Sequence, residues 1–123
     1  MITGEVTPDR SAVIRLLVRG PAGREEQVDA VIDTGFNRYL TLPASVVTGL
    51  GLPPVGLSQA RLADGTVRSI ASFEATIVWD GRDRVVPILT TGGAVLVGMA
   101  LLYGSELRVQ VVDGGDVIIE ALG

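Results

Sequence analysis

Apolar residues recur along this chain in short blocks, many of them alternating with polar ones, and turn-forming residues separate nearly every block. Alternation with period two marks half-buried strands, because successive side chains on a strand face opposite sides of the sheet. On that basis residues 2–7 form a first strand, ended by Pro8-Asp9, and residues 11–19 a second. Gly20-Pro21-Ala22-Gly23 is a turn, and residues 25–32 return as the other arm of a hairpin. Residues 33–37 make a loop, and 38–42 resume as a strand.

The stretch 43–50 predicts a short helix, since Pro43 suits a first helical turn and Gly49 or Gly51 can end it. Residues 57–63 and 66–70 flank Asp64-Gly65, a strong two-residue hairpin signal. Strands at 73–79 and 84–89 flank Asp80-Gly81-Arg82-Asp83 as another hairpin. A strand at 94–97 precedes one or two helical turns within 98–103, and 106–112 and 117–122 flank Asp113-Gly114-Gly115-Asp116. About nine or ten strands are expected, with one or two short helices. Turn signals at this frequency favour an all-β, closed or nearly closed barrel over an α/β sheet.

Composition agrees with that pattern. The 123 residues are 47% hydrophobic but only 4% aromatic, and 16 glycines and 6 prolines are spread throughout. Such β-branched richness with many turns suits short strands, and the length suits one domain spanning 1–123 with its own core. The uncharged segment 85–104 is nearly long enough to span a bilayer. Pro87, Thr90-Thr91 and Gly92-Gly93 interrupt it, leaving runs at 85–89 and 94–97 of strand length, so a buried strand pair is expected instead. The N-terminus has no basic region and no apolar segment of signal-peptide length, which points to a cytoplasmic protein.

Charge and missing residue types narrow the chemistry. The ten basic residues are all arginines, scattered singly against fourteen carboxylates for a net charge of −4, so a nucleic-acid surface has no support. There is no cysteine, which excludes disulfides and thiolate metal sites. There is no histidine either, which excludes Ser–His and Cys–His catalysis and His-ligated zinc. Asp113 and Asp116 fall far short of a calcium loop and read as a solvated turn. If the chain is an enzyme, its acid and base groups are carboxylates.

One carboxylate stands out. Asp33-Thr34-Gly35 occurs once, where the apolar run 28–32 gives way to a loop. By itself such a triplet usually means a turn with an Asx-type hydrogen bond. Here a hairpin tipped by Asp64-Gly65 follows, and then Leu96-Val97-Gly98 leading into Met99-Ala100-Leu101-Leu102. Gly35 suits a tight loop presenting a carboxylate, and Thr34 has a hydroxyl able to donate to a neighbouring backbone. Gly98 lets two chain segments cross closely. Hydrolysing a peptide bond without metal or covalent intermediate takes a base to activate water and an acid to protonate the leaving group. Two facing carboxylates supply both, because they cannot both ionise; aspartic proteases are the standard example. A chain with one such Asp can meet that requirement only as a symmetric dimer.

With these segments in this order, the chain resembles the retropepsin-like (clan AA) aspartic proteases. The likeness is greatest to small prokaryotic single-domain members with an Asp-Thr-Gly-Phe motif, as at residues 33–36. The resemblance implies a closed acid-protease barrel and an aspartic endopeptidase working as a homodimer on extended polypeptide. It implies that Asp33 is catalytic, that Thr34 and Gly35 shape its loop, and that the Thr34 hydroxyl grips the partner's loop. Leu96, Val97 and Gly98 would be the supporting strand, and the hairpin around Asp64-Gly65 the flap. Phe36, Ala63, Asp64 and Gly65 would contact substrate, with no metal, organic cofactor, nucleic acid or membrane involved. The terminal strands 2–7 and 117–122 would be the dimer edge. Two departures are visible: Phe36 replaces a residue that is small in viral members and would narrow the pocket beside the carboxylate. Ala100 stands where many relatives carry Asp or Asn, removing a polar anchor. The alternative is a non-catalytic peptide-binding or dimerisation module on the same barrel.

Overall fold

Strand by strand, the alternation in the sequence becomes the inside and outside of a barrel. In β2 (Ala12–Arg19), Ile14, Leu16 and Val18 are buried while Arg15 is exposed. The same two-residue period governs β1 (Ile2–Val6), β3 (Glu25–Ile32) and β10 (Asp116–Ala121). A computed structural model describes residues 1–90 and 92–123; Thr91, one of the residues expected to interrupt the uncharged segment, lies outside the described residues. The remaining elements are β4 (Leu40–Leu42), α1 (Ala44–Leu50), β5 (Pro54–Arg61), β6 (Val67–Trp79) and β7 (Arg82–Thr90). They are followed by β8 (Leu96–Val97), α2 (Met99–Leu102) and β9 (Ser105–Val109).

Six strands close on themselves. β2 pairs with β3, β3 runs parallel to β8, β8 antiparallel to β4, and β4 parallel to β7. β7 pairs with β6, and β6 returns to β2 through Val18↔Ile77 and Arg19↔Thr76, so the ring is complete. Closure removes sheet edges and seals the apolar faces inside. Val18, Leu40, Leu42, Ile77, Ile88 and Val97 are all fully buried there. α1 plugs one side with Val47 and Leu50, and Gly51 ends it in the left-handed conformation (φ 63°), donating its N–H to Thr48 O. The helix therefore runs one turn position beyond Gly49. The all-β closed barrel with two short helices is as the sequence led us to expect.

Several local expectations change. The strands at 66–70 and 73–79 are one strand, β6, because Ala71 and Ser72 are held in the sheet by partners on neighbouring strands. Ser72 pairs with Gly56 of β5 and with Leu89 of β7, so β6 bridges barrel and hairpin. The Asp64-Gly65 hairpin is a three-residue loop rather than a two-residue one. Leu62 N–H donates to Thr66 O, Gly65 N–H donates to Leu62 O, and Gly65 takes φ 86°. That is a type I turn followed by a left-handed residue. The Asp80–Asp83 hairpin is tighter than expected, since Trp79 pairs directly with Arg82 across Asp80-Gly81, both at positive φ. The last strand pair begins earlier, and Val111 and Val112 lie exposed in its connection.

Two larger expectations concern the ends of the molecule and residues 85–104. That uncharged segment is divided among β7, β8 and α2, and among the described residues no helix is long and apolar enough to cross a membrane. The terminal strands are not free edges. β1 is hydrogen-bonded to β2 on one side and β10 on the other, and β10 lies between β1 and β9. The C-terminal hairpin satisfies β1 within the chain, and β9 is left as the open edge at this end of the sheet.

Candidate active site

The loop after β3 is laced to the segment after β8 by main-chain hydrogen bonds. Asp33 N–H donates to Val97 O at 2.9 Å, and Gly98 N–H to Tyr39 O at 3.0 Å. Met99 N–H donates to Phe36 O at 2.7 Å, and Ala100 N–H to Arg38 O at 3.2 Å. Beneath this lacing, Val31 and Ile32 stand beside Leu96 and Val97 in the parallel ladder. Asp33, Thr34, Gly35, Leu96, Val97 and Gly98, separated by some sixty positions in sequence, therefore form one structural unit. The Ala100 main chain anchors this unit directly, whatever its side chain lacks.

Gly98 is what permits so close a crossing. A Cβ placed there would lie 2.1 Å from Arg38 O, 2.6 Å from Phe36 Cδ2 and 2.8 Å from Phe36 O. Two of these are backbone atoms that cannot swing away. At the next level out, the buried Thr41 hydroxyl donates to Ala94 O at 2.8 Å and accepts Leu96 N–H at 2.9 Å, pinning β8 in place.

Asp33 itself is half-buried, and its Oδ1 accepts the Gly35 N–H at 2.9 Å. This is an Asx-type turn, which leaves Oδ2 without a protein partner among the described residues. Thr34 and Gly35 are exposed on the same loop. Beside them opens a cleft of about 500 Å³. It is lined by Gly35, Phe36, Arg38 and Leu89 and, from the β5–β6 hairpin, by Arg61 and Val67. Phe36, half-buried beside Gly98, lines the cleft.

The hairpin-tip residues expected to contact substrate lie apart from the lining of this cleft. Ala63, Asp64 and Gly65 are exposed at the end of the hairpin, beyond the cleft wall. Asp64 Oδ1 accepts both the Thr66 hydroxyl (2.7 Å) and the Thr66 N–H (2.9 Å). The Thr66 hydroxyl and then its amide hold the Asp64 carboxyl below the usual aspartate range. Asp64 thus stiffens the turn. The hairpin residues that line the cleft are Gln59, Arg61 and Val67, with Arg38 Nη2 donating to Gln59 O at 2.6 Å. Sequence reasoning missed Arg38, Arg61 and Val67. Only the adjacency of Arg38 to the motif could have drawn attention, since the others reach the cleft by the folding of β5 and β6.

A second surface adjoins the loop. Thr34, Met99, Leu102, Tyr103 and Leu107 line a predominantly apolar hollow, in which Tyr103 is 88% exposed and Met99 46%. Among the described residues no group of three or more His, Cys, Asp or Glu side chains converges as a metal site would require.

No family model matches the sequence, and no curated protein does. Among solved structures, the chain is similar to a retropepsin-like aspartic protease from Rickettsia conorii, with a TM-score of 0.63 and 18% identity. The match covers 99% of this chain and 91% of that one. The fold of this chain is retropepsin-like.

Proposed function

We propose that all 123 residues act as one domain of an aspartic endopeptidase that works as a homodimer, each protomer contributing Asp33. The observation that carries this is the placement of the Asp33 carboxylate. It is held by the Gly35 amide on a loop hydrogen-bonded to the end of β8, and Gly35 to Arg38 of the same loop line the adjoining cleft together with hairpin residues. Facing its mate across a water, one carboxylate would take a proton from the water while the other protonated the leaving nitrogen. The scissile carbonyl gains the hydroxyl, and the amine leaves with the donated proton. Substrate would lie extended along the hairpin, held by main-chain hydrogen bonds.

For Asp33 to meet itself, the dimer axis must pass close to the loop carrying it. The apolar hollow of Thr34, Met99, Tyr103 and Leu107 is the adjoining surface able to cover such an axis, and the open edge of β9 runs beside it. This supports a dimer made through the Thr34 face and β9. The test compares wild type with Asp33→Asn on an unfolded polypeptide from acid to neutral pH, alongside sedimentation of both. Wild type should cleave, and the variant should lose cleavage by several orders of magnitude while keeping its fold and assembly. A well-folded dimeric wild type that cleaves nothing would leave the barrel as a binding module and end the enzyme reading.

A further inference from the structure

Among the described residues, arginines are the charged side chains that line the cleft beside the Asp33 loop. Arg38 follows the Asp33 loop and Arg61 ends β5, so two separate segments each bring a guanidinium-bearing residue to the same opening. Among the described residues neither has an ion-pair partner; the same holds for Arg10, Arg24, Arg68, Arg82 and Arg84, whereas Arg15, Arg19 and Arg108 are paired, so what sets Arg38 and Arg61 apart is that both line one cleft. Arg38 spends one N–H on Gln59 O and retains the rest of its fork; Arg61 makes no hydrogen bond among the described residues. Each guanidinium carries five donors in a planar array that matches a carboxylate. Between them the cleft presents apolar surface from Phe36, Val67 and Leu89.

We infer that this cleft selects an acidic residue of the substrate, with glutamate favoured over aspartate. A glutamate's two methylenes can lie against Phe36 and Val67 while its carboxylate reaches Arg38 and Arg61; the shorter aspartate gains less apolar contact. Taking the carboxylate leaves both arginines paired in a partly closed site, whereas a glutamine leaves them unpaired and a lysine meets two like charges. Arg38 and Arg61 are specificity-determining residues in this account. The inference rests on the proposed peptidase function for its use, but selectivity of the cleft can be read without catalysis.

The experiment uses extended peptides that are identical except for Glu, Asp, Gln or Lys, moved one position at a time, at about pH 6.5 where glutamate is ionised. Cleavage by wild type and binding to Asp33→Asn, followed by fluorescence anisotropy, are measured in parallel. At one position, Glu should exceed Gln by about tenfold or more in both readouts, the effect of a charge-assisted hydrogen bond. That ratio should shrink several-fold in Arg61→Gln and at high salt. Arg61→Glu and Arg38→Glu/Arg61→Glu should shift preference toward Lys. Arg61 makes no hydrogen bond or ion pair among the described residues, so its variants should fold even where Arg38 variants lose the Gln59 tether. Cleavage with equal handling of Glu and Gln at every position overturns this inference alone. Preferential binding of Glu peptides without cleavage by wild type supports it and overturns the peptidase reading. Absence of both binding and cleavage overturns both.

Discussion

At the scale of single residues, the site depends on the absence of one Cβ and the presence of one carboxylate. Gly98→Ala should destabilise the fold by about 3 kcal/mol, because the added methyl meets the backbone of Arg38 and Phe36 rather than a movable side chain. Urea unfolding measures this directly, and an unchanged midpoint would show that the crossing has slack. Asp64 has a different effect, confined to the hairpin tip. Its folded pKa is depressed by Thr66, so the turn's stabilisation is fully present above the ordinary aspartate value of about 3.9 and is lost as pH falls through the lower folded value. The protection of the Thr66 amide, its exchange rate relative to the intrinsic rate at the same pH, should therefore hold through the mildly acid range and fall only in strong acid. Loss of protection already near neutrality would mean that something other than Asp64 holds the turn.

Among the elements, the short β8 matters more than its two residues suggest. It receives Asp33 N–H at one end and is itself fixed by the Thr41 hydroxyl from β4. Thr41→Val keeps the shape but leaves Leu96 N–H without its buried partner, which should cost about 1–3 kcal/mol. Since β8 also positions the loop, cleavage should fall in the same variant, and Thr41→Ser should restore both. A Thr41→Val protein with lowered stability and unaltered activity would separate the pinning of β8 from the placing of Asp33. β6 illustrates the other use of an element. Its thirteen residues continue from the hairpin into the barrel, so the wall carrying Val67 is anchored by Ala75 and Ile77 in the core.

The whole molecule decides whether the carboxylate finds a mate. Tyr103 is 88% exposed, so Tyr103→Asp should leave the thermal melt of the protomer nearly unchanged. On the proposed dimer face it should weaken self-association by about tenfold or more and lower activity at dilute protein, with recovery as concentration rises. Sedimentation together with rate against concentration measures both. Full activity and an intact dimer in this variant would move the interface elsewhere. The open edge of β9 belongs to the same scale, since β9 ends the sheet with β10 as its one strand neighbour among the described residues.

Much of the barrel was legible along the chain. Strand 25–32 needed only its own alternation, and α1 only Pro43 and Gly51, because such signals act between near neighbours. The absence of His and Cys likewise limited acid–base chemistry to carboxylates before any fold was known. Hairpin details were less legible, since Ser72 continues a strand by pairing with Gly56 and Leu89, a fact of partners distant in sequence. For the same reason the terminal strands looked like edges until β10 was seen between β1 and β9. The sequence by itself determined the period of each strand and the one carboxylate at the end of an apolar run. Only the tertiary structure decided that Gly98 lies against Arg38, that Arg38 and Arg61 face one cleft, and which edge stays open. Those relations depend on long-range pairing and barrel closure, which no local pattern encodes.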